Sequence, residues 1–385
     1  MAAIVATDIA SAAPHTTQPA LRRLQELGQS IWLDRISRDL IRSGGLQRLV
    51  DEGLLGITSN PTIFEKAITG SADYDDQLTG LAKQGQAAPQ IFEALAIQDI
   101  QEATDVLRPV YERLDGADGY VSLEVSPKLA YDTDATIAEA ERLWKAVDRP
   151  NVYIKIPATE AGLPAIAASI AKGININVTL LFDVDRYEAV TSAYLEGLER
   201  YAQSGGAKPL RRIASVASFF VSRVDTLVDK QLEGRPAHQD LLGTAAVANA
   251  KLAYERFERI FNAARFAPLK EQGARVQRVL WASTSTKNPA YQDTKYVNPL
   301  IGPHTVNTVP DQTLDAIKDH AQVRLTIKEG LDEARAHLTA LARAGIDMKS
   351  VASQLEADGV GAFAKSYDDL LASIDKKARA IAQAA

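Results

Sequence analysis

The sequence contains no cysteine. Disulfides, thiolate nucleophiles and cysteine-ligated zinc are excluded, and nothing in the chain calls for an oxidising compartment. No stretch approaches the roughly 18 consecutive apolar residues of a membrane-spanning helix. Runs of basic residues are missing as well. With 43 Lys and Arg against 49 Asp and Glu, the net charge is −6. That lacks the concentrated cationic face that sequence-independent nucleic-acid binding needs. A small phosphorylated ligand is not excluded, because a few local cations suffice to hold it. Histidine is scarce: His15, His238, His304, His320 and His337 offer no pair at metal-ligand spacing, and no H-E-x-x-H pattern occurs. The expectation is therefore no metal, no cofactor, no nucleic-acid partner and no membrane partner.

What is present is the composition of an ordinary globular protein: 385 residues, 46% hydrophobic and 24% charged. The Ala-rich start carries Asp8 inside its apolar stretch, and its first basic residue is Arg22. It lacks the cationic n-region of a secretory signal. Residues 1–20 read as a disordered or frayed leader and 21–385 as a single domain, expected in the cytoplasm as a monomer or homodimer.

Apolar runs of strand length recur at 30–36, 54–59, 119–125, 151–156, 173–181, 213–219, 276–283 and 305–309. Amphipathic helical patterns lie between them, clearest at 40–52, 135–147 and 186–201. Repeated strand–helix alternation over this length predicts a parallel sheet closed into a (β/α)8 TIM barrel with additional helices. A doubly wound open sheet is the alternative. It would usually show a Gly-rich phosphate turn after an early strand, and no G-x-G-x-x-G is found. The stretches 66–109 and 234–266 read as extra or elongated helices, and the region after Pro310 as helices packed on the barrel. Within that region, 353–363 reads as a packing segment with no role in phosphate binding.

Side chains alternate faces along a strand. In Asn151-Val-Tyr-Ile-Lys-Ile-Pro157, Val152, Ile154 and Ile156 face the helices while Tyr153 and Lys155 face the interior. A lysine inside an apolar strand is costly unless it is paired or used; on this strand alone, an interior ion pair and a functional amine are equally good readings. Neighbouring strands decide between them. The same alternation sends Asn175, Asn177 and Thr179 inward on one strand, Trp32 and Asp34 on another, and Tyr120, Ser122 and Glu124 on a third. Thr58 and Asn60 fall at the end of a fourth. Barrel interiors are normally filled by bulky apolar residues, and active sites of this fold sit at the C-terminal ends of the strands. Several strands ending in polar inward residues therefore mark a site. A buried amine flanked by carboxylates, with no metal or cofactor motif, suggests Schiff-base catalysis on a carbonyl substrate, because burial disfavours the ammonium form of an amine.

Taken together, LDRISRDLI with Asp34, GITSNPTIFEKAI with Asn60, VSLEVSP with Glu124 and VYIKIPAT with Lys155 resemble the transaldolase family, in its longer bacterial form. INVTLLF with Asn177 and Thr179, VASFFVSRVD with Ser218 and Arg223, LWASTSTKNPAY and VNTVP extend the resemblance from about Leu24 to the C-terminus. The resemblance implies a lysine-dependent enzyme of the pentose phosphate pathway acting on sugar phosphates. Lys155 would form the imine with a ketose phosphate. Asp34 would take and return the C4 hydroxyl proton. Glu124, with a water held by Thr179, would move protons as the carbinolamine dehydrates. Asn60 and Asn177 would bond the dihydroxyacetone part, with Ser218 near them. Shorter family members carry an Arg in the phosphate loop after the seventh strand; here the loop reads Ser283-Thr-Ser-Thr-Lys-Asn288, with Lys287 in the Arg's place. Arg223, Lys287, Ser283 and Ser285 are accordingly expected at the phosphate end, against the plainer reading of Lys287 as a solvated loop lysine. A fructose 6-phosphate aldolase-like enzyme that releases free dihydroxyacetone, and a non-catalytic sugar-phosphate-binding protein, are the competing functions.

Overall fold

The computed structural model describes residues 18–384. Of the expected leader 1–20, residues 1–17 lie outside the described residues, and Ala20 already opens a helix, Ala20–Glu26.

Eight parallel strands close on themselves as expected: β1 Gln29–Leu33, β2 Gly56–Ile57, β3 Tyr120–Glu124, β4 Val152–Pro157, β5 Ile176–Leu181, β6 Ser215–Phe220, β7 Arg278–Ala282 and β8 Thr305–Val309. Each pairs with its chain neighbour, and β8 returns to β1 with Gln29 opposite Thr305 and Leu33 opposite Val309. The second strand is far shorter than the apolar run 54–59. Leu55 N–H still bonds Ile31 O at 3.0 Å and Thr58 N–H bonds Leu33 O at 2.9 Å, so the run follows β1 without regular pairing on both sides.

The helices differ from the sequence reading mainly at their ends. The pattern 40–52 is two helices, Arg38–Arg42 and Gly45–Glu52, broken at Gly44 with φ of 75°. Glycine reaches that left-handed conformation without a Cβ clash. Helix Thr133–Val147 starts where the Asp132 carboxylate accepts from Ala135 N–H at 3.0 Å, and Val184–Gln203 where Asp183 accepts from Arg186 N–H at 2.8 Å. The stretch 66–109 is covered by helices Pro61–Gly70, Asp75–Lys83 and Ala88–Arg113 with short breaks between them, and 234–266 holds helix Ala245–Phe261. After β8 come Asp311–His320, Leu331–Arg343 and the 37-residue helix Met348–Ala384. Among the described residues no helix is long and apolar enough to cross a membrane.

Inside the barrel, side chains stack in layers. At the N-terminal end, Asp118 receives Trp32 Nε1 at 2.8 Å and Arg278 Nη1 at 3.0 Å, which compensates a buried ion pair with hydrogen bonds. Above it lies an aromatic layer. Tyr120 and Tyr153 are stacked with centroids 4.2 Å apart, and Trp32 is 6.0 Å from Tyr153. Gly56 makes room for this layer, since a Cβ there would lie 2.6 Å from Trp32 Cδ2. Gly56→Ala is expected to cost about 1–3 kcal/mol by overpacking, read from the denaturation midpoint. An unchanged midpoint would show that the indole can simply move aside. The layer nearest the C-terminal ends of the strands is polar, and it forms the candidate site.

Candidate active site

Strand register brings the reactive groups side by side. Glu124 pairs with Lys155 across β3 and β4, and Lys155 pairs with Asn177 across β4 and β5. Tyr153 and Lys155 face the interior together, as alternation requires. The Lys155 side chain is only 5% exposed; its Nζ lies 3.3 Å from Glu124 Oε2 and donates to Ser59 O at 3.1 Å. Burial pushes the Glu124 carboxyl above the usual range, and the Lys155 cation pulls it partly back. Apart from Lys155, neither Glu124 oxygen has a protein hydrogen-bond partner, and neither does the buried Thr179 Oγ1. These orphaned polar atoms flank β4 from β3 and β5. A polar room of this kind suits a water molecule.

Thr179 immediately precedes an irregularity. The β5–β6 register slips between Val178 and Leu181, and Leu180 has φ of 60°. Positive φ is a costly conformation for leucine. Bulges of this kind re-aim side chains next to functional sites.

Asp34 follows the end of β1. Burial raises its carboxyl, opposed by the Lys155 cation and by a hydrogen bond from Thr58. Thr58 Oγ1 donates to Asp34 Oδ1 at 2.7 Å, so its 2.6 Å contact with Thr308 Oγ1 is one in which Thr308 donates. Asn60 caps helix Pro61–Gly70 by accepting Ile63 N–H on Oδ1 at 2.9 Å, which leaves its Nδ2 for the pocket. Asn177 is held from both sides, donating to Ser122 Oγ at 3.0 Å and accepting from Ser218 Oγ at 2.7 Å.

A pocket of about 400 Å³ opens over this layer, lined by Asp34, Asn60, Lys155, Thr179, Ser218, Arg223, Ser283, Ser285 and Lys287. Asn177 sits behind Ser218. Glu124 sits behind Lys155, on the border of a neighbouring cleft of about 760 Å³ that shares Asn60. The larger cleft does not contain the amine, and the smaller one is the candidate site. Further cations line this pocket. Arg223 Cζ lies 5.3 Å from the centre of the Phe220 ring, and Lys287 Nζ donates to Ser285 Oγ at 2.7 Å. Burial lowers the Arg223 guanidinium from its ordinary value, while Asp34 and Asp358 hold it up. Among the described residues no group of three or more His, Cys, Asp or Glu could hold a metal ion. A buried amine against one carboxyl, a second carboxyl across the pocket and cations at the rim form an arrangement for imine chemistry on an anionic carbonyl compound.

Residues 31–374 match a family model described as Transaldolase/Fructose-6-phosphate aldolase. The chain belongs to this family. Among curated relatives, the transaldolase of Acidothermus cellulolyticus is 52% identical over 360 residues, covering 92% of this chain and 96% of that protein. The transaldolase of Saccharopolyspora erythraea is 50% identical over 361 residues, covering 93% and 98%. That of Mycobacterium bovis is 49% identical over 358 residues, covering 92% and 95%.

Within this transaldolase-family barrel, the structure adds pocket residues that the sequence reading did not single out. Lys66 lines the pocket from helix Pro61–Gly70, and Phe363 lines it from the C-terminal helix, its ring centre 5.8 Å from Lys155 Nζ. The segment 353–363 packs on the barrel, and its last residue lines the pocket. A Cβ on Gly359 would lie 2.8 Å from Leu180 Cδ2 and 3.6 Å from Arg223 Nη1, so the helix passes tightly over both. Its amphipathic pattern shows a buried face but not what that face covers.

Proposed function

We propose that this chain transfers a dihydroxyacetone unit between sugar phosphates through a Schiff base on Lys155, converting sedoheptulose 7-phosphate and glyceraldehyde 3-phosphate to erythrose 4-phosphate and fructose 6-phosphate. The observation that carries the reading is Lys155 Nζ buried 3.3 Å from Glu124 Oε2, in a family of this name. The free amine adds to the ketose C2 carbonyl to give a carbinolamine. Glu124, its carboxyl raised by burial, delivers a proton to the departing hydroxyl by way of a water at Thr179. Asp34 then takes the C4 hydroxyl proton as the C3–C4 bond breaks, and the electron pair moves into the enamine. The phosphorylated aldehyde leaves. An acceptor aldehyde re-forms the bond, Asp34 returns the proton, and water releases the product ketose. Asn60 and Asn177 bond the dihydroxyacetone hydroxyls, with Ser218 beside them. The phosphate, at the end of the sugar far from Lys155, meets Arg223, Lys287, Ser283 and Ser285.

Phe220, where related aldolases tend to carry a tyrosine, lines the pocket without a hydroxyl that could protonate the enamine. This favours transfer over release of free dihydroxyacetone. The protein is read as a monomer or a homodimer. A chain without cysteine suits the cytoplasm. The test is product analysis with fructose 6-phosphate, with and without erythrose 4-phosphate. Sedoheptulose 7-phosphate should form with the acceptor and little free dihydroxyacetone without it; equal dihydroxyacetone release in both would overturn transfer.

The phosphate assignment has its own test. Arg holds phosphate in a bidentate fork and Lys as a mobile point charge, so losing Arg223 should hurt more than losing Lys287. A charge-assisted hydrogen bond is worth roughly 1.5–3 kcal/mol, or about tenfold to a hundredfold in affinity. Arg223→Ala and Lys287→Ala should raise KM for fructose 6-phosphate by such factors and leave unphosphorylated fructose nearly unaffected. If Lys287→Ala weakens both sugars equally, or neither, Lys287 is a solvated loop lysine after all.

A further inference from the structure

The groups proposed to hold phosphate stand on separate pieces of chain. Arg223 lies in the first turn of helix Ser222–Leu232. Lys287 lies in the segment 283–297, between β7 and the 3-10 turn Asn298–Leu300, which contains neither helix nor strand. A long segment without helix or strand holds a side chain in place only if something fixes it.

Behind the pocket, the two pieces are tied together. Asp225 and Asp229 follow Arg223 one helical turn apart, on one face of the same helix. Tyr296 donates its hydroxyl to Asp225 Oδ2 at 2.9 Å, and Tyr291 donates to Asp229 Oδ2 at 2.7 Å. The other carboxylate oxygens are also used. Asp225 Oδ1 accepts Ala246 N–H at 2.7 Å, and Asp229 Oδ1 accepts Gly243 N–H at 2.8 Å. Each aspartate thus joins the Arg223 helix, the Lys287 segment and the chain at 243–246. The seat for Tyr291 is shaped for it. Gly243 has φ of 67°, and a Cβ there would lie 2.7 Å from both Tyr291 Cζ and its hydroxyl oxygen. Lys295 Nζ stands 4.4 Å from the centre of the Tyr291 ring. None of these groups lines the pocket.

Placing two carboxylates in one partly buried cluster is costly, and apolar packing would bind the loop at least as well. What the hydroxyl–carboxylate bonds add is register, because they fix one tyrosine to one carboxylate where an apolar contact could slide. We propose that Asp225 and Asp229, through Tyr296 and Tyr291, are positioning residues that set the spacing of Arg223 and Lys287 and so make the pocket selective for phosphorylated sugars. The inference rests on the reading above that Arg223 and Lys287 bind the phosphate.

The experiment compares Tyr291→Phe, Tyr296→Phe and Gly243→Ala with Arg223→Ala, using fructose 6-phosphate, unphosphorylated fructose and inorganic phosphate as a competitive inhibitor. Tyr291→Phe keeps the ring and deletes only the donor. It should raise KM for fructose 6-phosphate and the inhibition constant of phosphate by about tenfold, with kcat and the KM for fructose unchanged. Gly243→Ala should act the same way by displacing the ring, and Tyr296→Phe should move in the same direction. Lower thermal stability with unchanged constants, or equal loss for both sugars, would show a merely structural contact and overturn the proposal. If Arg223→Ala is selective for the phosphorylated sugar and the tyrosine variants are not, only the positioning role falls. If Arg223→Ala is itself unselective, the phosphate reading falls and takes this role with it.

Discussion

Lys155→Arg is expected to abolish turnover. A guanidinium stays protonated at any working pH and cannot add to a carbonyl to form an imine. Borohydride reduction in the presence of fructose 6-phosphate should add a dihydroxyacetone-derived mass to the peptide holding Lys155, and mass spectrometry should find no label in the Arg variant. The specificity of the label is the sharper half of this prediction. Lys66 and Lys287 line the same pocket, but neither is seated against Glu124. Lys251 is also buried, yet its ammonium donates to the carbonyls of Thr326 and Glu329, outside the pocket. Label on any of these lysines, or activity surviving in the Arg variant, would dismiss the covalent mechanism. A thermal unfolding scan separates lost chemistry from lost folding, since an arginine must fit where the lysine is almost fully enclosed.

The second large effect divides labour between the carboxylates. Asp34→Asn should lower kcat by about 10²–10⁴-fold, the usual contribution of a positioned acid–base group. It should still permit trapping with borohydride, because its proposed role follows imine formation. Glu124→Gln should lose a similar factor in the trapping rate itself. Equal loss of trapping in both variants would defeat the assignment. Asp34 also predicts the sign of a pH shift. Its carboxyl is raised by burial and lowered by the Lys155 cation and the Thr58 hydrogen bond. The basic form is the one needed for cleavage, so activity falls on the acid side as Asp34 takes up a proton. Thr58→Val removes the donor at 2.7 Å, destabilises the carboxylate and raises the carboxyl further. The acid limb of kcat/KM should therefore move to higher pH. Movement to lower pH would mean that Thr58 does not serve the carboxylate.

Alternation alone placed the centre of this site. Because side chains on a strand point to opposite faces in turn, apolar Val152, Ile154 and Ile156 commit Tyr153 and Lys155 to the interior. The same rule set Glu124, Asn177 and Thr179 around them. Eight strand-length runs with helical patterns between them then left a closed parallel barrel as the natural way to bury every strand on both faces. Local conformation was less legible. The break at Gly44 and the short β2 depend on a backbone angle and on pairing geometry, which hydrophobic spacing does not encode. Tertiary packing decided the rest. Phe363 and Lys66 reach the pocket from helices whose amphipathic patterns specify a buried face but not the end of the barrel it covers. The ties from Asp225 to Tyr296 and from Asp229 to Tyr291 cross 71 and 62 residues, and no local pattern links them. A strand's period determines the face of each residue as soon as the strand forms, whereas a partner distant in sequence is chosen only when the separate elements dock.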